Sequence, residues 1–463
     1  MTAATDATLV ANRYGLGARP GELARLGSGA REALLAQLKG PAPLITRALP
    51  ASRDVLAQVI ALREARRKAG DDDTAAQVKV AVKIRELYAP VYVDEVTARF
   101  QAAVASERSV VERLVQFWSN HFAVSIDKIA VLGLAGAMER EAIRPHVLGR
   151  FPDLLRAVEQ HPAMLLYLDN HLSIGPQSRA ARLVQRRGTG RELGLNENLG
   201  REILELHTLG VDGGYTQRDV TTLAAIITGW SIGGNAGRLR GGEPGTFYFR
   251  EALHEPGAKT LLGRSYREDG LAEGEKALRD LALHPKTARH LATQLARHFI
   301  ADEPPAPVVE RVARAYEASE GDLPTVYRAL FESPQAWEPD LSKFKTPADY
   351  IHSTWRALEL PVDGGRKGLA PFELLGQRSF QPGSPAGWPD RSADWDGSSA
   401  LLKRIEWANA LGQRLGSRVD ALQLADAALG TSLTAATRTS LSRAQDGAQA
   451  LTLLLSSPEF MRR

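Results

Sequence analysis

Apolar residues recur at three- and four-residue spacing along most of this chain, the period of amphipathic helices packed on a shared core. The pattern predicts a short helix over Asp6–Arg13 that stops at Gly15-Leu16-Gly17-Ala18-Arg19-Pro20, then helices from Pro20 through Leu26 and over Gly29–Leu38. Two longer runs, Arg53–Lys68 and Ala75–Ala105, flank the acidic turn Asp71-Asp72-Asp73 and predict a helical hairpin. Helices follow over Ser109–Phe122, Ala135–Leu148, Pro152–Leu168 and Asn196–Gly210, with Gly210 as a C′ glycine. Thr216, with Asp219 three residues on, starts another as a capping box in which Asp stands where Glu or Gln is usual. Five more run over Leu271–Leu283, Pro285–Phe299, Pro307–Ser319, Leu323–Glu332 and Pro347–Leu358, and two or three complete the chain.

Three stretches break the period. Residues 173–195 carry Arg179, Arg182, Arg186, Arg187 and Arg191 among glycines, the composition of a mobile loop able to act as a lid or an anion-binding flap. Residues 233–245 are glycine-rich, and 381–397 hold proline, glycine and tryptophan. Strand character is confined to Thr246–Phe249 and Lys259–Leu262, predicted to pair as a hairpin. The fold class expected is therefore mainly α, one integrated helical unit spanning 1–463 with a minor β-hairpin near 246–263.

The stretch Asn196–Gly210 departs from an ordinary amphipathic helix. It sets Glu197, Glu202, Glu205, Arg201 and His207 beside Ile203, Leu204 and Leu206. Glutamate and arginine are seldom buried without partners, so this helix is a structural ion-pair helix or the wall of a site. At about 100° per residue, Asn198, Glu202 and Glu205 share one stripe, while His207 points to nearly the opposite side of a regular helix. That geometry argues against a one-helix metal site, and no metal ligand is assigned. His121, on the aromatic helix Phe117-Trp118-Ser119-Asn120-His121-Phe122, is either a hydrogen-bonded core histidine or the imidazole partner of Glu202 or Glu205. His254 and Lys259 in the turn His254–Lys259 could hold an anionic substrate group, or simply be exposed turn residues. The expectation is thus Glu202, Glu205 and His121 as catalytic candidates and Asn198, Arg201, His254, Lys259 and Trp388 as substrate-binding candidates. His161-Pro162 and His284-Pro285 read as helix boundaries.

Composition removes several alternatives. Cysteine is absent, which excludes disulfides, thiolate catalysis and cysteine-ligated metal centres. Net charge is +4, with the basic residues clustered in one loop, so nucleic-acid binding is not expected. No apolar run is long enough for a membrane span, and Met1–Asp6 has no leader pattern. Cytoplasmic is the default compartment, with export the alternative if the chain is trimmed or carried out with a partner. There is no phosphate-binding loop, no zinc-protease signature and no nucleophile elbow.

Nine-residue Asn12–Pro20, the Phe117–Phe122 segment, Asn196–Gly210 with its continuation through Thr216, Thr228-Gly229-Trp230, His254–Lys259, His284–Ala288 and Ser384–Pro389 together carry a resemblance that covers nearly the whole chain. The sequence resembles the bacterial family catalogued as domain of unknown function 1800. That resemblance implies a largely helical protein and no defined activity or cofactor. It also implies a neighbourhood: genes of this family often sit beside a sulfatase-like family, domain of unknown function 1501, that often bears a twin-arginine export signal.

Two functions therefore compete. One is an enzyme using paired carboxylates and a histidine for acid/base chemistry, hydrolytic in character, on a saccharide or other small polar substrate. The other is a non-catalytic scaffold or maturation partner of the sulfatase-like protein, in which Glu202 pairs with an arginine such as Arg113, Arg201 or Arg218 to fix packing. Glu202 and Glu205 lining an open pocket would favour the first, and burial against arginine the second.

Overall fold

Helix boundaries lie where capping chemistry puts them. The Pro285–Phe299 helix begins at Pro285, whose fixed φ suits the first helical position, and the His284 ring accepts the Lys286 N–H at 3.1 Å. His161-Pro162 repeats the device, with His161 Nδ1 accepting the Ala163 N–H at 3.1 Å. It divides the expected Pro152–Leu168 run into helices Phe151–Glu159 and Pro162–Tyr167. Thr216 and Asp219 complete a reciprocal capping box on the Gln217–Ile226 helix. The second oxygen of Asp219 accepts the Leu262 N–H at 2.8 Å, so this carboxylate works for the fold. Gly210 takes the left-handed conformation (φ +83°) that closes its helix.

The computed structural model describes residues 2–68, 74–186, 194–234, 241–339 and 341–463. The Asp71-Asp72-Asp73 turn and residues 187–193 and 235–240 of two expected loops lie outside these. Within them the chain is mainly α-helical, with strand confined to two small antiparallel hairpins. No described helix is long and apolar enough to cross a membrane. The expected loop over 173–195 contains a helix, Arg179–Arg186, whose basic residues fall on successive turns around buried Ala181. After the 381–397 segment four helices complete the chain: Ser398–Leu415, Ala421–Leu429, Ala435–Ser442 and Gly447–Leu455.

The expected pairing of Thr246–Phe249 with Lys259–Leu262 does not form. Strand β1 (Trp230–Ile232) takes β2 (Phe247–Phe249), and β3 (Lys259–Leu261) takes β4 (Arg264–Tyr266). The second hairpin turns at Leu262-Gly263, both with positive φ, the two-residue turn whose twist suits adjacent strands. That tight turn supplies β3 with a partner closer in sequence than β2.

Two apolar cores organise the helices. The larger gathers Leu114 and Trp118, Ile203 and Leu204, and Leu291 and Leu295 from three helices. The smaller gathers Tyr350, Phe372, Trp407 and Leu451 from the later helices, and takes in Phe100 from the long Thr74–Ala105 helix. Buried ion pairs tie the elements around the larger core. Arg144 grips Glu112 with two bonds of 2.9 and 2.8 Å and reaches Glu139 at 3.3 Å, while Arg99 meets Glu139 at 2.6 Å. Asp349 sits between Arg113 (3.1 Å) and Arg463 (2.9 Å). The two guanidinium neighbours hold the Asp349 carboxyl far below the usual range, against the opposing effect of its burial.

Candidate functional site

The Asn196–Gly210 motif is not one regular helix. An α-helical turn, Asn198–Glu202, passes into a π-helical segment, Ile203–Thr208, in which the Leu209 N–H reaches back five residues to the Leu204 carbonyl at 3.0 Å. π-Segments are rare and frequently mark functional sites. Here the wide turn has two results. The His207 side chain enters the core, where its Nδ1 lies 2.7 Å from Glu159 Oε1, both groups fully enclosed. The carbonyls of Leu206 and His207, in the last turn and without helical N–H partners, accept Nε2–H bonds of 3.2 Å each from His290 and His121. A carbonyl can only accept, so both rings carry their proton on Nε2. Burial holds His121 and His290 below the ordinary histidine pKa, so they are neutral near pH 7.

His121 and His290 form part of the wall of a cavity of 350 Å³. It lies at the seam of the two cores, between the end of the Ser109–His121 helix, the polar face of Pro285–Phe299 and the Trp388 loop. The polar face presents His290, Gln294 and Arg297 at four- and three-residue spacing, followed by His298. His298 Nδ1 lies 3.2 Å from Asp390 Oδ2, and its Nε2 has no hydrogen-bond partner. Burial lowers the His298 pKa to about 4 against the opposing pull of Asp390, so the ring is a neutral acceptor. Asp390 is anchored from behind by Arg463 at 3.3 Å and Lys343 at 3.6 Å and stays ionised.

The loop is held by Asn120. Its Oδ1 accepts the Trp388 N–H at 2.8 Å and its Nδ2 donates to the Trp388 carbonyl at 2.9 Å, so one carboxamide bonds both sides of one residue. Gly387, at φ +80°, lies so close to Asn120 that a Cβ would fall 2.4 Å from its carbonyl oxygen. Two residues after Trp388 the chain delivers Asp390 to His298.

Of the residues singled out from sequence, the structure brings His121 and Trp388 to this cavity. It does not bring Glu202 or Glu205 there. Glu202 is half-buried, and burial raises its pKa, but His121 bonds the His207 carbonyl and not either carboxylate. Glu205 accepts from Tyr215 Oη at 3.1 Å. Asn198 is exposed, and Arg201 pairs with Glu197 at 3.3 Å beside Gln217. His254 and Lys259 do converge, each 3.1 Å from Oε2 of the fully buried Glu273, but away from the cavity. The enclosed Glu273 turns that turn into a packing joint.

Sequence reasoning missed His290, Arg297, His298 and Asp390. The polar stripe His290-Gln294-Arg297, at four- and three-residue spacing beside the buried Leu291 and Leu295, was the available signal. Among the described residues, no group of three or more histidines and acids is disposed to hold a metal ion.

The fold and the cavity define a class: a mainly helical protein with a histidine- and arginine-walled cavity at the seam of two cores. The chain belongs to the family described as protein of unknown function (DUF1800), whose model matches residues 9–462. No curated protein and no solved structure matches it.

Proposed function

We propose that this protein is an enzyme that performs acid/base chemistry on a small polar substrate in the seam cavity, with His298 as general base and Asp390 as the residue that positions it. One observation carries the reading: His298 belongs to the cavity wall, has its Nδ1 on a carboxylate, and has an enclosed Nε2 with no partner among the described residues. A neutral imidazole held in this way accepts a proton at Nε2, and the adjacent carboxylate stabilises the imidazolium that results. Relative to the expectation from sequence, the base moves from the Glu202–Glu205 stripe to His298, and His121 keeps a place in the wall.

The test is turnover by purified protein on a panel of chromogenic esters, phosphoesters and glycosides. His298→Gln is expected to lower kcat on the responding substrate by about 10²- to 10⁴-fold with folding retained. The rate of the wild type should hold down to about pH 4, where His298 takes up its proton. Asp390 raises the His298 pKa, so Asp390→Asn should move that acid limb lower. Unchanged turnover in His298→Gln overturns the reading.

The second reading, a scaffold partnered with a sulfatase-like protein, draws support from the motif itself. Its His207 is enclosed against Glu159, where it contributes packing. Co-purification of the two proteins, undiminished by His298→Gln, is its test.

A further inference from the structure

We infer that the seam cavity takes an acidic ligand, a small molecule bearing a carboxylate, sulfate or phosphate group, and that Arg297 is the residue that binds this group. The inference rests on the cavity proposed above as the active site and names the class of molecule it accepts.

The electrostatics of the wall lead to this class. Two of its acids are already matched: Asp349 lies between Arg113 and Arg463, and Asp390 is shared by Arg463, Lys343 and His298, while Asp394 has no ion-pair partner among the described residues. Arg297 is not. Its Nε donates to the Asp302 carbonyl at 3.2 Å and its Nη1 lies 3.4 Å from Gln294 Oε1, but among the described residues no carboxylate stands within ion-pair distance. Those two bonds orient the guanidinium and leave Nη2 without a protein acceptor among them. A half-buried arginine in a concave site with no counter-ion provides a fork of N–H donors suited to an oxyanion. The neighbouring wall cations, Arg99 and Arg378, have carboxylate partners, Glu139 and Glu373, on their own sides. Arg391 likewise pairs with Glu303, so among the described residues Arg297 is the wall arginine without a carboxylate partner. The Arg297 charge also contributes to holding His290 neutral, since it disfavours a second cation beside it.

The test reads binding and not turnover. Protein labelled in its histidine rings is titrated at low ionic strength with inorganic phosphate, sodium sulfate or glucuronate, with chloride as the control, and followed by the ring signals of His121, His290 and His298. Saturable shifts of these signals with at least one probe are expected, and the probe that binds tightest assigns the acidic group. Arg297→Gln should weaken that binding at least about tenfold, as loss of a charge-assisted contact does. Arg297→Lys, which keeps the charge and loses the fork, should fall between. No specific shift with any of the three probes, or equal affinity in Arg297→Gln with the fold intact, overturns the inference. Turnover that needs His298 but tolerates Arg297→Gln would remove this inference and leave the proposed chemistry standing.

Discussion

Two imidazole–carboxylate pairs in this protein differ only in where they are placed. His207–Glu159 is enclosed in the larger core, and His298–Asp390 stands in the wall of the cavity. Each places a ring Nδ1 on a carboxylate oxygen, and each leaves Nε2 unpartnered. Inside the core that arrangement joins the motif segment to the Phe151–Glu159 helix, and nothing can reach the ring. At the cavity the His298 side chain is 14% exposed against 1% for His207, although its Nε2 is enclosed as well. Pair chemistry alone does not separate a structural joint from a candidate base, and placement of the ring in a cavity wall is what distinguishes the two.

Removing a carboxylate sharpens the contrast most. Glu159→Ala leaves a polar ring in the core and should lower the unfolding free energy by about 3–5 kcal/mol, the range for breaking a buried pair. His298→Gln should cost about 1–2 kcal/mol, within the ordinary range of point substitutions. Urea denaturation of both variants checks the order, and the reverse order would erase the distinction.

Acid is the next lever. His298 is depressed from 6.5 to about 4 and His352 to about 3, and His121 is also held low, all chiefly by burial. The unfolded chain therefore binds more protons than the folded one below pH 6.5. This stability is present above that pH and is lost as pH falls through the folded values. For His298 alone the loss is ~3 kcal/mol once pH is below about 4. Asp349 and Asp390, held ionised by cations, add losses only below about pH 3.8. Thermal midpoints should start to fall near pH 6, well above the carboxylate range. A flat profile down to pH 4 would show that these rings are not buried as neutral groups.

The smallest change tests how the motif segment is seated. A Cβ on Gly200 would meet the Ala224 nitrogen at 3.0 Å and the Val220 carbonyl at 3.3 Å, backbone of the neighbouring Gln217–Ile226 helix. Gly200→Ala should cost about 1–3 kcal/mol by overpacking, measurable by calorimetry, in spite of the better helix propensity of alanine. It should also shift the ring signals of His121 and His290, whose bonds depend on the Leu206 and His207 carbonyls.

The helical class and most helix positions were legible in the sequence because they depend on local period and capping. Pro285–Phe299 is bounded by a proline cap and an apolar stripe, both local. The π-turn at Ile203–Thr208 was not legible. A regular helix puts His207 opposite Glu202, and one extra residue in the turn comes from tertiary demand, with no signature of its own. The strand pairing failed for a similar reason, since the Leu262-Gly263 turn offered β3 a nearer partner. Asp390 was hidden further still. It lies in an aperiodic segment 92 residues from His298, brought there by tertiary contacts such as those of the Asn120 carboxamide and Lys343.

The bonds from His121 and His290 to the end of the motif segment also set what the two rings can offer. With Nε2–H committed to carbonyls, each neutral ring has only a lone pair left on Nδ1. The His290 Nδ1 stands against Gly210, where a Cβ would fall 2.6 Å from it, so the end of the motif segment grips that ring on two sides. Two backbone carbonyls of the motif segment thus fix the tautomer of both rings, and a change in that segment is expected to alter which ring atom carries the lone pair.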